Sequence, residues 1–158
     1  MPNVLIVCRA NMCRSPMAEF LLRHHLEQSS ISDWTVHSAG AAAVDGWPAA
    51  EGAVEALREL GLDLTAHRSR SVAQAMLDQA DLVLFMEQAN RADLEDQFGA
   101  LPEKVMPFAS LVGRKDDVED PIGGPQEWFR ICADDLRSMI EEGFAWLRQR
   151  VADDPEIV

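Results

Sequence analysis

The chain has 158 residues, of which 47% are hydrophobic and 26% are charged, and this suits one globular domain with a core of its own. Its formal net charge is −13, and so acidic a surface repels nucleic acid and anionic lipid, so we expect no nucleic-acid partner. No apolar run approaches the roughly 20 residues that a membrane span needs, and the N-terminal segment lacks the pattern of a secretory signal, so we expect no membrane insertion.

The hydrophobic pattern predicts strands and helices that alternate along the chain. In order, it predicts a strand at 3–7, a helix that opens at 15–16, a strand at 34–38, helices at 48–60 and 72–77, a strand at 82–86, a helix at 88–98, a strand at 104–107, a long loop at 109–124 and a helix at 126–151. This alternation predicts an α/β fold with one parallel sheet and helices on both of its faces. In such sheets a ligand binds beyond the carboxyl ends of the strands.

The segment that follows the first strand combines a nucleophile with an anion-binding loop. Cys8 ends the buried strand, and six residues later Arg14 stands at the start of a helix. A loop this short wraps tightly, so its backbone N–H groups converge with the helix N-terminus on one anion and favour the thiolate of Cys8. The planar guanidinium of Arg14 matches two phosphate oxygens. The predicted phosphate-binding loop consists of Arg9, Ala10, Asn11, Met12, Cys13, Arg14 and Ser15.

Such a loop predicts covalent phosphoryl transfer. The thiolate of Cys8 attacks phosphorus and forms a phosphocysteine, which water then hydrolyses, while the loop N–H groups and Arg14 stabilise the charged oxygens. The hydroxyl of Ser15 can reach back to the Cys8 sulfur and ease its departure. We expect a proton donor for the leaving group on the long loop, where Asp120 is followed by Pro121. The predicted catalytic residues are Cys8, Arg14 and Asp120, and we expect neither a metal nor a cofactor.

The cysteines indicate a reducing environment. Their number, three, is odd and low, and no C-x-x-C pair is present for a zinc site or a thioredoxin motif, so we expect a cytoplasmic protein. Cys132 lies on the apolar stripe of the last helix and is expected to pack in the core. Cys8 and Cys13 lie five positions apart in a tightly wrapped loop, so we expect their sulfurs to come within reach of a disulfide.

The phosphate-binding loop resembles the signature of a known family. The stretch VCRANMCRSPMAE at 7–19 is similar to the V-C-x-G-N-x-C-R-S-P-x-A-E motif of the low-molecular-weight protein tyrosine phosphatases. Shorter matches follow in the same order at Ser38-Ala39-Gly40, His67-Arg68-Ser69-Arg70, Leu84-Phe85-Met86-Glu87 and Asp120-Pro121. The resemblance covers essentially the whole chain. It implies one flavodoxin-like domain at 1–151 with a four-stranded parallel sheet flanked by helices, followed by an acidic tail at 152–158.

The resemblance also implies roles for single residues. It gives the roles of nucleophile, phosphate clamp and acid to the three predicted catalytic residues. Asn11 matches the family asparagine that holds the loop in shape, with Ser15, Ser38 and His67 as its hydrogen-bond neighbours. Cys13 matches a second loop cysteine, which in the family forms a reversible protective disulfide with the nucleophile.

Three positions depart from the family pattern. Ala10 stands where the family usually has glycine, and the loop would be strained there if this position needed a positive φ. Ile122 stands where many members have Tyr or Phe after Asp-Pro, and Val44 lies near a position where a Trp often lines the substrate ring. The catalytic centre therefore matches the family, whereas the rim around the substrate differs from it.

Several functions are open to a loop of this kind. An arsenate reductase would need further cysteines to relay a disulfide, and residues 68–100 contain none. A protein arginine phosphatase tends to have threonine where this chain has Met12, whose apolar bulk resembles the isoleucine of tyrosine phosphatases. A catalytically silent phosphate-binding module would not require nucleophile, clamp and acid together.

The predicted function is therefore the hydrolysis of phosphotyrosine in a protein substrate. The stretch Lys104–Phe108, with the helix beyond Asp120, resembles bacterial members that oppose tyrosine kinases of exopolysaccharide export. A tyrosine kinase is accordingly a candidate partner.

Overall fold

One parallel sheet with helices on both faces is formed by residues 1–152, which are the residues that this computed structural model describes. Its elements are β1 (Asn3–Cys8), α1 (Arg14–Gln28), β2 (Thr35–Gly40), α2 (Glu51–Glu59), α3 (Gln74–Gln79), β3 (Leu82–Phe85), α4 (Gln88–Phe98), β4 (Val105–Pro107), a 3₁₀ helix (Phe108–Val112) and α5 (Gln126–Ala152). The strands pair in the order β2-β1-β3-β4, and every pair is parallel. The predicted α/β fold is confirmed.

Element boundaries differ from the predicted ones by a few residues, and two of the differences have a physical cause. The helix predicted at 48–60 begins only at Glu51, because Ala50 has an extended backbone (ψ 140°), and the N–H of Ala50 donates to the carbonyl of Met12, 2.8 Å away. The start of the loop predicted at 109–124 is a 3₁₀ helix, since Phe108 and Leu111 are buried in the core. The predicted acidic tail lies outside the described residues from 153 onward.

The core lies on both faces of the sheet, because β1 and β3 alternate their side chains between two buried layers. Val4 and Ile6 belong to the layer that includes α1, α2 and α5. Leu5 and Val7 belong to the layer that includes residues of α3 and α4. The continuous aliphatic run at 3–7 is therefore a strand that is buried on both sides, as predicted.

Helix α5 packs on the 3₁₀ helix at a point where only a residue without a side chain fits. A Cβ atom at Gly143 would overlap the carbonyl group and the side chain of Leu111. This close approach fixes α5 beside the loop that follows the 3₁₀ helix. None of the helices in the described part of the chain is both long and apolar enough to cross a membrane.

Candidate active site

The carboxyl ends of three adjacent strands meet at one edge of the sheet. β1 ends at Cys8, which is paired with Gly40 at the end of β2, and β3 leads into Glu87, the N-cap residue of α4. The end of β2 lies against the phosphate-binding loop, because a Cβ atom at Gly40 would come within 2.7 Å of the Arg9 carbonyl oxygen. This edge is where parallel sheets bind their ligands, and it carries the predicted site.

The backbone of the phosphate-binding loop is fastened through its carbonyl groups. The carbonyl of Cys8 accepts a hydrogen bond from the N–H of Ala41 (2.9 Å), and that of Met12 accepts one from Ala50 (2.8 Å). By contrast, none of the N–H groups of residues 9–15 donates to an acceptor within residues 1–152. These N–H groups and the N-terminus of the 15-residue helix α1 form a set of donors suited to an anion.

Asn11 connects the loop to the strands and loops around it. It has a left-handed backbone (φ 57°), and its Nδ2 donates to the hydroxyls of Ser15 and Ser38, each 2.9 Å away. Its Oδ1 accepts from the N–H of Arg70 (3.0 Å), and its carbonyl accepts from Nε2 of His67 (2.7 Å). The structure thus brings the four predicted loop-supporting residues together and adds Arg70, which sequence reasoning missed.

The sulfur of Cys8 lies at the end of this hydrogen-bond network. It is 2.9 Å from the Ser15 hydroxyl, and because that oxygen already accepts from Asn11, its own proton is available to the sulfur. Cys8 and Cys13 are both buried free cysteines. Burial raises the pKa of Cys13, so this second loop cysteine is a neutral thiol.

The same network ends on its other side at a buried carboxylate that the sequence analysis did not single out. The Ser38 hydroxyl donates to Oε1 of Glu19 (2.6 Å), and Oε2 of Glu19 pairs with Arg23 at 3.0 Å. Glu19 lies one helical turn beyond Ser15 on the buried side of α1. An acidic residue on the inner face of a helix is the sequence signal that could have found it, because a buried carboxylate needs partners.

Arg14 joins the phosphate-binding loop to two other loops. Its buried guanidinium donates from Nη1 to the carbonyl of Val118 (2.9 Å) and from Nη2 to Oε1 of Glu87 (3.0 Å). Oδ2 of Asp120 lies 3.5 Å from the same Nη2. Burial by itself would lower the pKa of Arg14, but the hydrogen bond to Glu87 and the charges around it raise that pKa, so the side chain is permanently cationic.

Asp120 is held at the mouth of the site by its own loop. Its Oδ1 accepts from the N–H of Ile122 (3.1 Å), and its side chain is 40% exposed. Two residues earlier the loop is anchored, because Val118 is buried and its N–H donates to the carbonyl of Met86 at 2.8 Å. The structure therefore places Asp120 3.5 Å from Arg14, and the charges of Cys8 and Asp120 both help to raise the pKa of that guanidinium.

Of the three departures from the family signature, Ala10 lies in the phosphate-binding loop, whereas Val44 and Ile122 lie on other loops. The residue with a positive φ in the phosphate-binding loop is Asn11, and Ala10 is not among such residues, so the condition for strain at Ala10 is not met. Val44 and Ile122 are exposed by 68% and 49%. Trp47, which sequence reasoning passed over, lies on the same loop as Val44 and is 54% exposed.

Cys132 is buried in the core, as its place on the helix stripe predicts. Its sulfur is 4.0 Å from the carbonyl of Glu119, so α5 touches the loop next to Asp120. Burial raises the pKa of Cys132 to about 12, and its thiol stays protonated.

Comparison with known proteins identifies the family. The sequence model described as "Low molecular weight phosphotyrosine protein phosphatase" matches residues 3–154. The chain belongs to this family. The predicted family and enzyme class, a phosphatase, are confirmed.

Relatives in this family differ in their named substrates. The chain is 32% identical over 146 residues to a probable low molecular weight protein-tyrosine-phosphatase, EpsP, of Ralstonia solanacearum, and the match covers 92% of this chain and 93% of the relative. A crystal structure of a low molecular weight protein tyrosine phosphatase from T. tengcongensis superimposes with a TM-score of 0.85 at 37% identity, covering 92% and 99% of the two chains. A cysteine-to-serine mutant of the YwlE arginine phosphatase, with a phosphorylated active-site serine, superimposes with a TM-score of 0.86 at 30% identity, covering 99% of both chains.

Proposed function

We propose that this phosphatase hydrolyses phosphotyrosine in proteins through a phosphocysteine intermediate on Cys8. The observation that carries the proposal is the geometry around the sulfur. Cys8 Sγ lies 2.9 Å from a hydroxyl that can donate to it, at the start of a loop whose N–H groups are unused by the described chain, and its charge helps to raise the pKa of the Arg14 guanidinium. The solved relative with a phosphorylated serine in place of its active-site cysteine supports phosphoryl transfer to this position.

The first step forms a bond from the Cys8 sulfur to phosphorus and breaks the bond from phosphorus to the phenolic oxygen. Asp120, as a carboxylic acid, gives its proton to that oxygen as the phenol leaves. The loop N–H groups and Arg14 bind the three equatorial oxygens, whose charge is greatest in the transition state. Because Arg14 contacts Val118 and lies 3.5 Å from Asp120, the clamp and the acid occupy defined positions relative to each other.

The second step hydrolyses the phosphocysteine. Asp120, now a carboxylate, accepts a proton from water as the water oxygen attacks phosphorus, and the bond from phosphorus to sulfur breaks. The Ser15 hydroxyl donates to the departing sulfur and stabilises the thiolate, since its oxygen already accepts a hydrogen bond from Asn11. The enzyme returns to its starting state with inorganic phosphate as the second product.

The rim of the cleft favours an aromatic phosphate ester over phosphoarginine. Met12 is half-buried in the phosphate-binding loop, and Val44, Trp47 and Ile122 are exposed on the two loops beside it. Apolar side chains stabilise a phenyl ring by removing its surface from water, whereas a guanidinium group needs hydrogen-bond acceptors. Phosphoarginine is the competing substrate, because a relative with 30% identity is an arginine phosphatase.

The general-acid role of Asp120 can be tested with two leaving groups. Asp120→Asn is expected to slow hydrolysis of phenyl phosphate by about 10²–10³-fold and that of p-nitrophenyl phosphate much less, because p-nitrophenol leaves without a proton. Glu119→Gln is the matched control, since Glu119 is the exposed neighbouring acid and is expected to change turnover little. Equal slowing of the two esters in Asp120→Asn, or a larger effect from Glu119→Gln, would move the acid role elsewhere.

The substrate class is tested by a turnover screen with phosphotyrosine, phosphoarginine and phosphoserine peptides of one sequence. We expect kcat/KM to be highest for phosphotyrosine. A higher value for phosphoarginine would reassign the enzyme to the arginine phosphatases. On the resemblance noted at Lys104–Phe108, we further propose a cytoplasmic enzyme whose substrate is a tyrosine kinase of exopolysaccharide export, and the phosphotyrosine content of such a kinase should rise when this phosphatase is deleted.

A further inference from the structure

A groove of about 600 Å³ runs between the loop that carries Asp120 and helix α5. We call it the α5 groove. One wall is the loop at 116–121, and the other is the face of α5 that carries Trp128, Ile131, Asp135 and Glu142. These positions are spaced by three, four and seven residues, so they share one side of the helix. From Trp128 to Glu142 the helix rises about 21 Å, which is the length of about six residues of extended peptide.

The end of the α5 groove nearest to the active site is apolar and exposed. Trp128 and Ile131 are 54% and 51% exposed, although both are large hydrophobic residues. The Trp128 ring packs on the backbone of Gly124, because a Cβ atom there would overlap the ring. Asp120 and Pro121 border the same groove. An exposed apolar surface that continues into a catalytic cleft is typical of a surface that binds part of the substrate.

The rest of the α5 groove is acidic, and few cationic side chains balance its negative charge. The lining of the whole groove includes six carboxylates, namely Asp116, Asp117, Glu119, Asp120, Asp135 and Glu142. One guanidinium, that of Arg114, also lines it, and its Nε lies 3.3 Å from a carboxylate oxygen of Asp116. Glu119, Asp135 and Glu142 form no ion pair within residues 1–152. Carboxylates gathered along one groove repel each other and attract a cationic occupant.

We propose that the α5 groove binds the segment of the substrate protein that flanks the phosphotyrosine, and that it selects for arginine or lysine beside an apolar residue. The apolar residue contacts Trp128 and Ile131, and the cationic residues pair with Asp135 and Glu142 farther along the helix. This inference rests on the proposed function, because it names the sequence around the phosphotyrosine that this site prefers. The groove would thus recognise the residues beside the phosphotyrosine, which the phosphate-binding loop does not contact.

A second copy of this chain is a poor occupant of the same groove. The chain carries a net charge of −13, so two copies repel each other, and an acidic groove adds to that repulsion. A basic segment of another protein gains from the same field, and its rate of association rises as salt falls.

The test compares two phosphotyrosine peptides, one with Arg-Leu on both flanks and one with Glu-Leu on both flanks, and normalises each kcat/KM to that for p-nitrophenyl phosphate. Wild type is expected to prefer the cationic peptide by about tenfold at low salt, mainly through KM, and less in 0.5 M NaCl. The double variant Asp135→Lys with Glu142→Lys should abolish this preference. The matched control, Asp134→Lys with Glu141→Lys, changes the net charge equally at neighbouring exposed positions of α5 and should keep it.

Two results would overturn the inference while phosphotyrosine turnover persists. One is equal kcat/KM for the two peptides in wild type, and the other is an equal loss of preference in the groove variant and its control. Dimerisation that is seen by analytical ultracentrifugation and is lost only in the groove variant would assign the groove to a second copy instead. Free phosphotyrosine is assayed in parallel. If wild type hydrolyses neither free phosphotyrosine nor the peptides, the proposed function and this inference are both wrong.

Discussion

Replacing Asn11 tests how the phosphate-binding loop keeps its shape. Asn11→Ala removes three hydrogen bonds, two buried ones donated by the side chain to Ser15 and Ser38 and a part-buried one accepted from the N–H of Arg70. The bond from His67 to the Asn11 carbonyl survives, because it involves only the backbone of that residue. The substitution also puts alanine at a left-handed φ of 57°.

The loss in stability can be sized from these contacts. Each of the three hydrogen bonds contributes about 1 kcal/mol to the free energy of unfolding, and alanine in the left-handed region costs about 1 kcal/mol more. We therefore expect Asn11→Ala to lower the free energy of unfolding by about 4 kcal/mol. Asn11→Gly loses the same bonds but tolerates the backbone conformation, so its loss should be about 3 kcal/mol. Both losses are large against the roughly 5–15 kcal/mol of an ordinary domain.

Urea denaturation followed by circular dichroism measures the free energy of unfolding of each variant. The kcat for p-nitrophenyl phosphate reports whether the loop keeps its catalytic shape. Both variants should lose at least tenfold in kcat, since Ser15 is no longer held beside the Cys8 sulfur. The reasoning is refuted if Asn11→Ala lies within 1 kcal/mol of wild type. It is also refuted if Asn11→Ala is more stable than Asn11→Gly.

Three further predictions follow from other contacts. Cys8→Ser should abolish turnover yet still bind inorganic phosphate by calorimetry, and acid-quenched wild type should carry phosphate on Cys8; undiminished activity of the variant would exclude the mechanism. Peroxide should inactivate wild type in a way that a thiol reverses, because Cys13 forms a protective disulfide with Cys8, whereas Cys13→Ser should lose activity irreversibly. Mass spectrometry that finds no Cys8–Cys13 disulfide after mild peroxide would contradict this protection. Gly143→Ala should lower the free energy of unfolding by about 2 kcal/mol in a denaturant titration, because the added Cβ would overlap the Leu111 carbonyl. Glycine to alanine usually stabilises a helix, so a more stable variant would contradict this packing.

The phosphate-binding loop could be predicted from sequence because its chemistry is local. The nucleophile, the clamp and the serine lie within eight consecutive residues, and the strand before them and the helix after them have clear hydrophobic patterns. The partners of Arg14 could not be predicted from the pattern, since Glu87 and Val118 lie 73 and 104 positions away and one of the contacts is to a backbone carbonyl. Every residue type has a backbone carbonyl, so a contact to one cannot be deduced from the sequence.

The strands were predictable from their burial, but their order in the sheet was not. An aliphatic run reports that a strand is covered on both faces, whereas the order β2-β1-β3-β4 depends on how the crossover helices pack. The buried carboxylate of Glu19 was missed for a related reason. The packing of α1 on β2 turns its side chain towards Ser38, and the sequence of α1 alone does not reveal that packing.

The guanidinium of Arg14 belongs to the phosphate-binding loop by sequence and to the acid loop by its contact with Val118. Substitutions at 14 and at 118–120 should therefore show strong epistasis, because a change in either segment alters the contacts that the other makes. During evolution these two segments must change in concert, while the exposed rim residues Val44 and Ile122 can vary one at a time. Substitutions that adapt such an enzyme to new substrates should accordingly occur at the rim, while the phosphate-binding loop and the acid loop are inherited together.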